Sequence, residues 1–267
     1  MKRALIVIAA LAVSLGARAE SKSEQLLNQI TFNPPLGATV PLDTTFLDET
    51  GAEVRFGDLF HGKPVVIAPV YFECPMLCTL TLNGLLKAAR AIRPTAGPDF
   101  TVVAFSINPK DTAALAAAKR ESYAKGYNRP GSEGGWRFLT GTPASIDALS
   151  HALGFHYVYD AATDQYGHAS AVAILDKGGQ IIRGLDGPEF EPKDLKLALI
   201  EAAEGRIGTP IERALMYCYS FDGSTGKYSM QIMRLVRAGG VLTVVLIGLG
   251  IGLAIRRERR NAREATS

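Results

Sequence analysis

The sequence predicts an α/β protein with a mixed central sheet and flanking helices. Two continuous apolar runs, residues 64–72 and 100–107, are typical of strands that are buried on both faces. Helix-like segments alternate with these and later strands, which favours a mostly parallel sheet. Residues 170–176 and 180–185 form a predicted β-hairpin, and its antiparallel strands would make the sheet mixed.

Turn residues and hydrophobic periodicity assign the remaining elements. Residues 45–56 alternate around Asp48-Glu49-Thr50-Gly51, which predicts a hairpin. Further predicted strands are residues 136–140 and 155–159. Predicted helices are residues 80–92, 113–123, 143–153 and 192–203, with Asp111-Thr112 and Thr142 as capping residues and a Gly/Pro-rich loop at 126–135.

The charge distribution argues against nucleic-acid binding. The chain has 29 basic and 26 acidic residues, but the excess lies at its ends. Residues 20–255 carry 21 basic and 24 acidic side chains. A mildly acidic globular part does not suit a phosphate backbone, which needs clustered Lys and Arg.

Both ends of the chain predict membrane targeting. Residues 1–19 have a basic start, a short apolar run and the small-x-small sequence Ala17-Arg18-Ala19, as in a secretory signal peptide; an uncleaved anchor is the alternative. Residues 20–39 are then an extended lead-in. Residues 238–255 carry no charge and predict a transmembrane helix, with a buried core helix as the alternative.

An arginine cluster after that segment predicts the orientation of the chain. Residues 256–267 would be a basic cytoplasmic tail, and residues 204–237 a juxtamembrane segment outside the membrane. The signal peptide independently predicts the same topology. We therefore expect a bacterial inner-membrane protein whose globular domain, residues 40–203, lies in the periplasm.

Cys74-Pro75-Met76-Leu77-Cys78 is the main candidate for chemistry. It follows a buried strand and enters a helix, and a helix N-terminus favours the thiolate form of cysteine. Thiolates exchange electrons or bind soft metals, so both functions are open. A permanent disulfide is a third interpretation, although closing a five-residue loop contributes little chain entropy.

Four histidines could complete such a site. His61 lies in a turn and His151 near a helix end, where surface or capping roles are expected. His156 sits in an alternating aromatic strand and is interpreted as structural. His168 differs because it lies in a loop, residues 165–168, that enters a central strand, and such loops carry functional residues.

The combination of Cys74, Cys78 and His168 resembles the Sco/SenC family over roughly residues 40–203. The matching segments are residues 71–78, the strand 102–108, and His168 ahead of residues 171–176. The resemblance implies a thioredoxin-like fold and a membrane-tethered copper protein that assists assembly of the copper site of cytochrome c oxidase. It also implies that Cys74, Cys78 and His168 bind one copper ion. Two thiolates and one imidazole suit Cu(I), and three ligands leave the ion open to a partner.

The sequence departs from the family pattern at two positions beside the site. The family commonly has an acidic residue between the cysteines and another just before the histidine, whereas Met76 and Gly167 stand here. Met76 would pack or supply a thioether. The family's usual anchor is also N-terminal, whereas the one predicted here is C-terminal.

The third cysteine, Cys218, has no partner in this scheme. With Met230 and Met233 it could form a second soft-metal or redox element, or it could be a packed or free thiol. Tyr217, Tyr219 and Tyr228 would suit a membrane interface.

Four functions follow for testing. The first is a metallochaperone that takes copper on Cys74, Cys78 and His168 and passes it to the copper-site subunit of cytochrome c oxidase or another copper-binding protein. The second is a thiol–disulfide oxidoreductase in which Cys74 attacks and Cys78 resolves. A thiol peroxidase and a purely structural membrane-anchored module are the remaining alternatives.

Overall fold

A computed structural model describes residues 29–73, 77–203, 219–222 and 227–230, together with residues 243 and 247. The chain divides into two compact units, Met1–Gly208 and Thr209–Ser267. In the first unit the strands are β1 (Thr31–Phe32), β2 (Thr45–Leu47), β3 (Glu53–Arg55), β4 (Val65–Val70), β5 (Thr101–Ser106), β6 (Trp136–Leu139), β7 (Phe155–His156), β8 (Val158–Asp160), β9 (Gln165–Gly167), β10 (Ala171–Leu175) and β11 (Ile181–Asp186). Its helices are α1 (Leu77–Ala91), α2 (Ala113–Tyr127), α3 (Pro143–Ala152) and α4 (Pro192–Ala202), with a 3₁₀ turn at Phe56–Leu59.

Five strands form the central sheet in the order β11-β10-β4-β5-β6. β4, β5 and β6 are mutually parallel, whereas β10 is antiparallel to both β4 and β11. Every residue of β4, β5 and β10 is buried, as their continuous apolar sequences predict. The predicted mixed α/β sheet is therefore confirmed.

Three helices pack beside one another along this sheet. α2 contacts β6, α4 contacts β10 and β11, and α1 lies between them against β4. The approach of α1 to the chain after β11 is close, because a Cβ on Gly84 would lie 2.1 Å from the Pro188 carbonyl oxygen. A side chain at that position would force the helix away from its neighbour.

Three predicted boundaries are wrong in an informative way. Residues 155–159 form not one strand but two, because β7 pairs with β1 while β8 pairs with β9. Residues 165–167 are the strand β9 rather than a loop. α2 continues through Gly126 to Tyr127, since packing of the buried Tyr127 overrides the low helix propensity of glycine.

A buried ionic cluster holds the β2–β3 hairpin against the sheet. The Asp48 carboxylate accepts hydrogen bonds from the Thr50 amide at 2.8 Å and the Thr50 hydroxyl at 2.6 Å, which closes the predicted turn. Arg137 in β6 lies 3.1 Å from Asp48 and 3.0 Å from Glu49. Arg120 in α2 also pairs with Glu49, at 3.1 Å. The hairpin is thus tied to both the sheet and the helix layer.

The second unit contains an antiparallel hairpin of β12 (Tyr219–Asp222) and β13 (Lys227–Met230). Its strands flank the predicted glycine-rich turn. Cys218 and Met233 lie outside the described residues, as do the predicted signal peptide and the basic tail. None of the helices within the described parts of the chain is long and apolar enough to cross a membrane, and of the predicted span 238–255 only residues 243 and 247 are described.

We expect Asp48→Ala to lower the free energy of unfolding by about 1–3 kcal/mol, because it leaves the Thr50 amide without its acceptor and removes one of the two carboxylates paired with the partly buried Arg137. Urea unfolding of the purified protein measures this. Asp43→Ala is the matched control, since the Asp43 carboxylate is 95% exposed and pairs with the exposed Arg55. Equal midpoint shifts in the two variants would contradict the role assigned to the cluster.

The contribution of Asp48 to folding stability should depend on pH. Burial raises the pKa of Asp48, but hydrogen bonds from Thr50 and Ala52 and the charge of Arg137 outweigh it and lower the pKa below the ordinary value. A lowered folded-state pKa contributes stability above the unfolded-state value of about 3.9, and this stability is lost as the pH falls through the folded-state pKa. The difference between Asp48→Ala and the parent protein should therefore shrink below about pH 4.

Candidate metal centre

The sheet topology brings His168 to the edge from which the cysteine segment leaves. β4 leads into residues 71–78, and β10 begins three residues after His168. β10 pairs antiparallel with β4, with Ala173 opposite Ile67. The N-terminal end of β10 therefore lies beside the C-terminal end of β4, although about 90 residues separate the two segments.

Two contacts bracket the cysteine segment and join both of its flanks to the histidine loop. The ring of Tyr71, three residues before Cys74, lies 5.8 Å from the ring of His168. The hydroxyl of Thr81, three residues after Cys78, lies 2.6 Å from that of Ser170. Ser170 also donates to the Gly187 carbonyl at 3.0 Å. A residue before the CxxxC segment thus contacts His168 itself, and a residue after the segment contacts Ser170, two positions further along the chain.

The cysteines themselves are described only in part. Residues 74–76 lie outside the described ranges, and of Cys78 only the backbone is described. Cys78 is the second residue of α1, so its backbone lies in the first turn of that helix. The N-terminal turn of a helix stabilises a thiolate through the helix dipole and backbone amide groups. The backbone of Cys78 therefore lies at the start of a helix, as the sequence predicts.

His168 is buried, with only 5% of its surface exposed. Its Nδ1 lies 2.7 Å from the Ala169 carbonyl oxygen. A carbonyl oxygen only accepts hydrogen bonds, so Nδ1 carries the proton and donates, and in the neutral ring Nε2 then carries the lone pair. Burial lowers the pKa of His168 below its ordinary value, and the hydrogen bond to Ala169 opposes this only in part. The imidazole therefore favours the neutral form, which is the form that binds metals.

A buried carboxylate fixes the other side of the site. Asp111 accepts a hydrogen bond from the Phe72 amide at 2.6 Å and from the Ser106 hydroxyl at 2.6 Å. Asn108 donates to its second oxygen at 3.1 Å. The sequence predicted Asp111 as a capping residue, but Thr112 caps α2 and Asp111 anchors the chain two residues before Cys74. The sequence feature that could have indicated this role is the position of Asp111 soon after β5, because parallel β4 and β5 end at the same edge of the sheet.

An aromatic cluster lies next to His168, and one of its members, Tyr71, contacts the imidazole ring directly. The ring of Tyr166 lies 5.6 Å from Tyr71, 5.8 Å from Tyr157 and 5.0 Å from Tyr159. Phe155 packs on the other side of His168, at 6.0 Å. Only Tyr159 in this group is substantially exposed, and the two rings that contact His168, those of Tyr71 and Phe155, are buried.

Gly167 is explained by its packing. A Cβ at that position would lie 2.8 Å from Cδ1 of Ile30. The acidic residue that the family commonly has before the histidine would therefore displace Ile30.

The structure does not bring the other histidines to this site. His61 lies in an exposed turn with φ of 47°, and His151 and His156 are exposed beside each other. Within the described residues, no group of three or more His, Cys, Asp and Glu side chains is arranged to hold a metal ion. The predicted ligand set cannot appear among such groups, because the side chains of both cysteines are outside the description.

The central sheet with its helix layer, and a CxxxC segment at the start of a helix, define a thioredoxin-like protein. The model of the SCO1/SenC family matches residues 38–203, which is more than half of the chain. The chain belongs to the SCO1/SenC family, whose members handle copper in the assembly of cytochrome c oxidase. The family resemblance drawn from the sequence is confirmed, and the matched range agrees closely with the predicted domain.

Solved structures show the same fold. A protein of Aquifex aeolicus VF5 suggested to act in electron transfer is 27% identical, with a TM-score of 0.57, and the match covers 64% of this chain and 96% of that protein. A second protein of that organism, suggested to act in electron transport, is 28% identical with a TM-score of 0.53, over 63% and 99%. Arabidopsis thaliana ScoI, solved with copper bound, is 17% identical with a TM-score of 0.50, over 63% and 98%. No curated protein sequence matches the chain significantly.

We expect Asp111→Ala to free the Phe72 amide and loosen the chain that leads into Cys74. Removal of this buried acceptor from its three donors, the Phe72 amide, the Ser106 hydroxyl and the Asn108 side chain, costs about 1–3 kcal/mol. Hydrogen exchange should accelerate at residues 70–73 more than elsewhere in the sheet. Asp99→Ala is the matched control, because Asp99 accepts from the Thr95 amide at 2.7 Å before the opposite end of β5. Unchanged exchange at residues 70–73 in Asp111→Ala would contradict this anchoring role.

Proposed function

We propose that this protein binds copper through Cys74, Cys78 and His168 and delivers it to, or prepares the thiols of, the copper site of a respiratory oxidase. The observation that supports this most directly is the placement of His168. Its loop contacts residues on both sides of the cysteine segment, through Tyr71 and Thr81. The residues that flank the cysteine segment and the distant His168 thus lie at the same end of β4 and β10.

The donor atoms fit copper as the transported metal. Two thiolates and a neutral imidazole are soft to intermediate ligands and favour Cu(I) over hard cations such as Mg²⁺ and Ca²⁺. The hydrogen bond from Nδ1 to the Ala169 carbonyl leaves Nε2 as the coordinating nitrogen. Because the ring is buried and oriented by this bond, little rotational freedom is lost when it binds an ion.

The surroundings of His168 suit transfer rather than permanent storage. Three protein ligands leave a position for a ligand from the recipient, as exchange between two proteins requires. The aromatic shell of Tyr71, Tyr166 and Phe155 limits access of water from the inner side. The open side would then be that of the cysteine segment, where a partner protein would dock.

Family membership supports copper as the cargo. SCO1/SenC proteins handle copper for cytochrome c oxidase assembly, and the match spans the whole predicted domain. The copper in Arabidopsis thaliana ScoI belongs to a protein with the same fold. The recipient proposed for this chain is accordingly the copper-site subunit of an oxidase or another copper-binding protein.

We also propose a periplasmic position for the thioredoxin-like domain. The predicted signal peptide at residues 1–19 and the predicted membrane helix at residues 238–255 support it, with the basic segment 256–267 on the cytoplasmic side. An exported thiol pair meets an oxidising environment. Copper loading would therefore need the reduced form of Cys74 and Cys78.

Thiol–disulfide exchange by Cys74 and Cys78 is the second candidate function. Two relatives of the same fold, at 27% and 28% identity, are described in terms of electron transfer or transport. In exchange, the Cys74 thiolate would attack a partner disulfide and release one partner thiolate. Cys78 would then attack the mixed disulfide, leaving a Cys74–Cys78 disulfide and a reduced partner. Such a step would prepare the cysteines of a copper site for metal.

We expect His168→Ala to weaken Cu(I) binding by about 100-fold or more, because loss of a ligand exceeds the effect of losing a supporting contact. Dithiol exchange should be retained. Competition with a chromophoric Cu(I) chelator measures the affinity, and reduction of a disulfide substrate measures the exchange. His61→Ala is the matched control, since His61 lies in an exposed turn. Unchanged copper affinity in His168→Ala would falsify the ligand set.

For the redox candidate, we expect Cys78→Ser to accumulate a mixed disulfide between Cys74 and a partner, because the resolving thiol is absent. Non-reducing gels of cells that express the full chain, followed by mass spectrometry, detect the species. Cys74→Ser should abolish it. If Cys78→Ser traps no partner while copper binding depends on His168, the metal function stands and the exchange function is rejected.

A further inference from the structure

A pair of histidines at the surface has no part in the site described above. His151 lies in the last turn of α3, and His156 lies in β7, opposite Thr31 of β1. Their ring centroids are 6.4 Å apart, with the ring planes at 88°. Both side chains are exposed, so an ion could reach them from solvent.

We propose that His151 and His156 form a second metal site, which takes Cu(I) at the protein surface. The choice of copper rests on the proposed function, whereas the pairing of the two imidazoles does not. The sequence analysis had assigned a surface or capping role to His151 and a structural role to His156. Neither role requires the two rings to lie this close together.

The separation of the rings fits one ion held between them. Metal–nitrogen bonds of imidazole are about 2.0–2.1 Å, so two imidazoles on opposite sides of one ion have centroids about 6 Å apart. The observed 6.4 Å is close to that value. A nearly linear pair imposes no restriction on the angle between the ring planes. Small side-chain rotations at these exposed positions therefore suffice to bind.

The number of ligands selects the kind of metal. Across the described residues no third His, Cys, Asp or Glu side chain completes the group. Zn²⁺ prefers four ligands and Ca²⁺ six to eight, whereas Cu(I) accepts low coordination. A site of two neutral imidazoles therefore favours Cu(I), and it binds less tightly than one with two thiolates.

The local electrostatics favour a cation. The C-terminal end of a helix carries a partial negative charge, and His151 lies in that end of α3. Asp147, one turn earlier, adds a carboxylate whose Oδ1 accepts a hydrogen bond from Tyr157 at 3.0 Å. That bond comes from a neutral phenol, so the carboxylate charge is not cancelled. No cation among the described residues is paired with Asp147.

The pair lies directly beside the proposed copper site. Phe155 precedes His156 in β7, and its buried ring lies 6.0 Å from His168. The two sites are therefore on opposite sides of one short strand. A weaker surface site next to a tighter buried one is suited to first capture of the ion, before it moves to the thiolates.

The experiment titrates the full-length Cys74→Ser/Cys78→Ser/Cys218→Ser variant, which keeps no thiol, with Ag(I), an air-stable probe for Cu(I), and records the imidazole NMR signals. We expect one equivalent to shift the signals of His151 and His156 together and to leave His61 unchanged. His151→Gln and His156→Gln should each weaken binding at least tenfold. His61→Gln is the matched control and should have no effect. Urea midpoints show that each exposed substitution leaves the fold intact.

Three results would overturn the proposal. They are equal shifts at His61, unchanged binding in His151→Gln and His156→Gln, and no binding by the triple-cysteine variant at micromolar protein. The proposed function fails separately, if the Cys218→Ser variant, which keeps Cys74 and Cys78, binds no more Cu(I) than the triple-cysteine variant. Loss of one site with retention of the other identifies which of the two proposals is wrong.

Discussion

The antiparallel pairing of β10 with β4 is the constraint on which the rest of the site depends. β4 delivers the cysteine segment to one edge of the sheet, and the reversed direction of β10 makes its start, rather than its end, meet that edge. A parallel β10 would place His168 at the far end of the sheet. The Thr81–Ser170 hydrogen bond then holds α1 against the histidine loop. Such a bond contributes about 1 kcal/mol net to the free energy of unfolding. The functional geometry is thus largely a property of strand direction.

Strand direction also explains how far the sequence could predict this molecule. The buried runs at 64–72 and 100–107 and the hairpin at 170–185 gave the mixed sheet, because complete burial on both faces leaves a continuous apolar pattern. His168 was selected as a ligand mainly through the family resemblance. In the structure, Tyr71 contacts His168 and Thr81 contacts Ser170, from opposite sides of the cysteine segment.

The features that the sequence could not provide are those that depend on contacts distant along the chain. The sequence predicts Asp111 as a helix cap. Its anchoring role is visible only in the structure, where the Phe72 amide after β4 donates a hydrogen bond to its carboxylate after β5. Residues 155–159 alternate in the pattern of a single strand, yet their first part pairs with β1 and their second part with β9. His156 lies in the first of these two strands, β7, and its ring is 6.4 Å from that of His151 in α3.

The short strand β7 consequently links two environments that would otherwise be independent. Its first residue, Phe155, is part of the wall around His168, and its second, His156, belongs to the surface beside α3. A shift of this two-residue strand changes the packing of the buried imidazole and the spacing of the exposed ones together. Linkage requires that such coupling be reciprocal. An ion bound at the proposed His151/His156 pair would then change the affinity of the proposed site at His168 for copper. An ion bound at His168 would change the affinity of the histidine pair by the same factor.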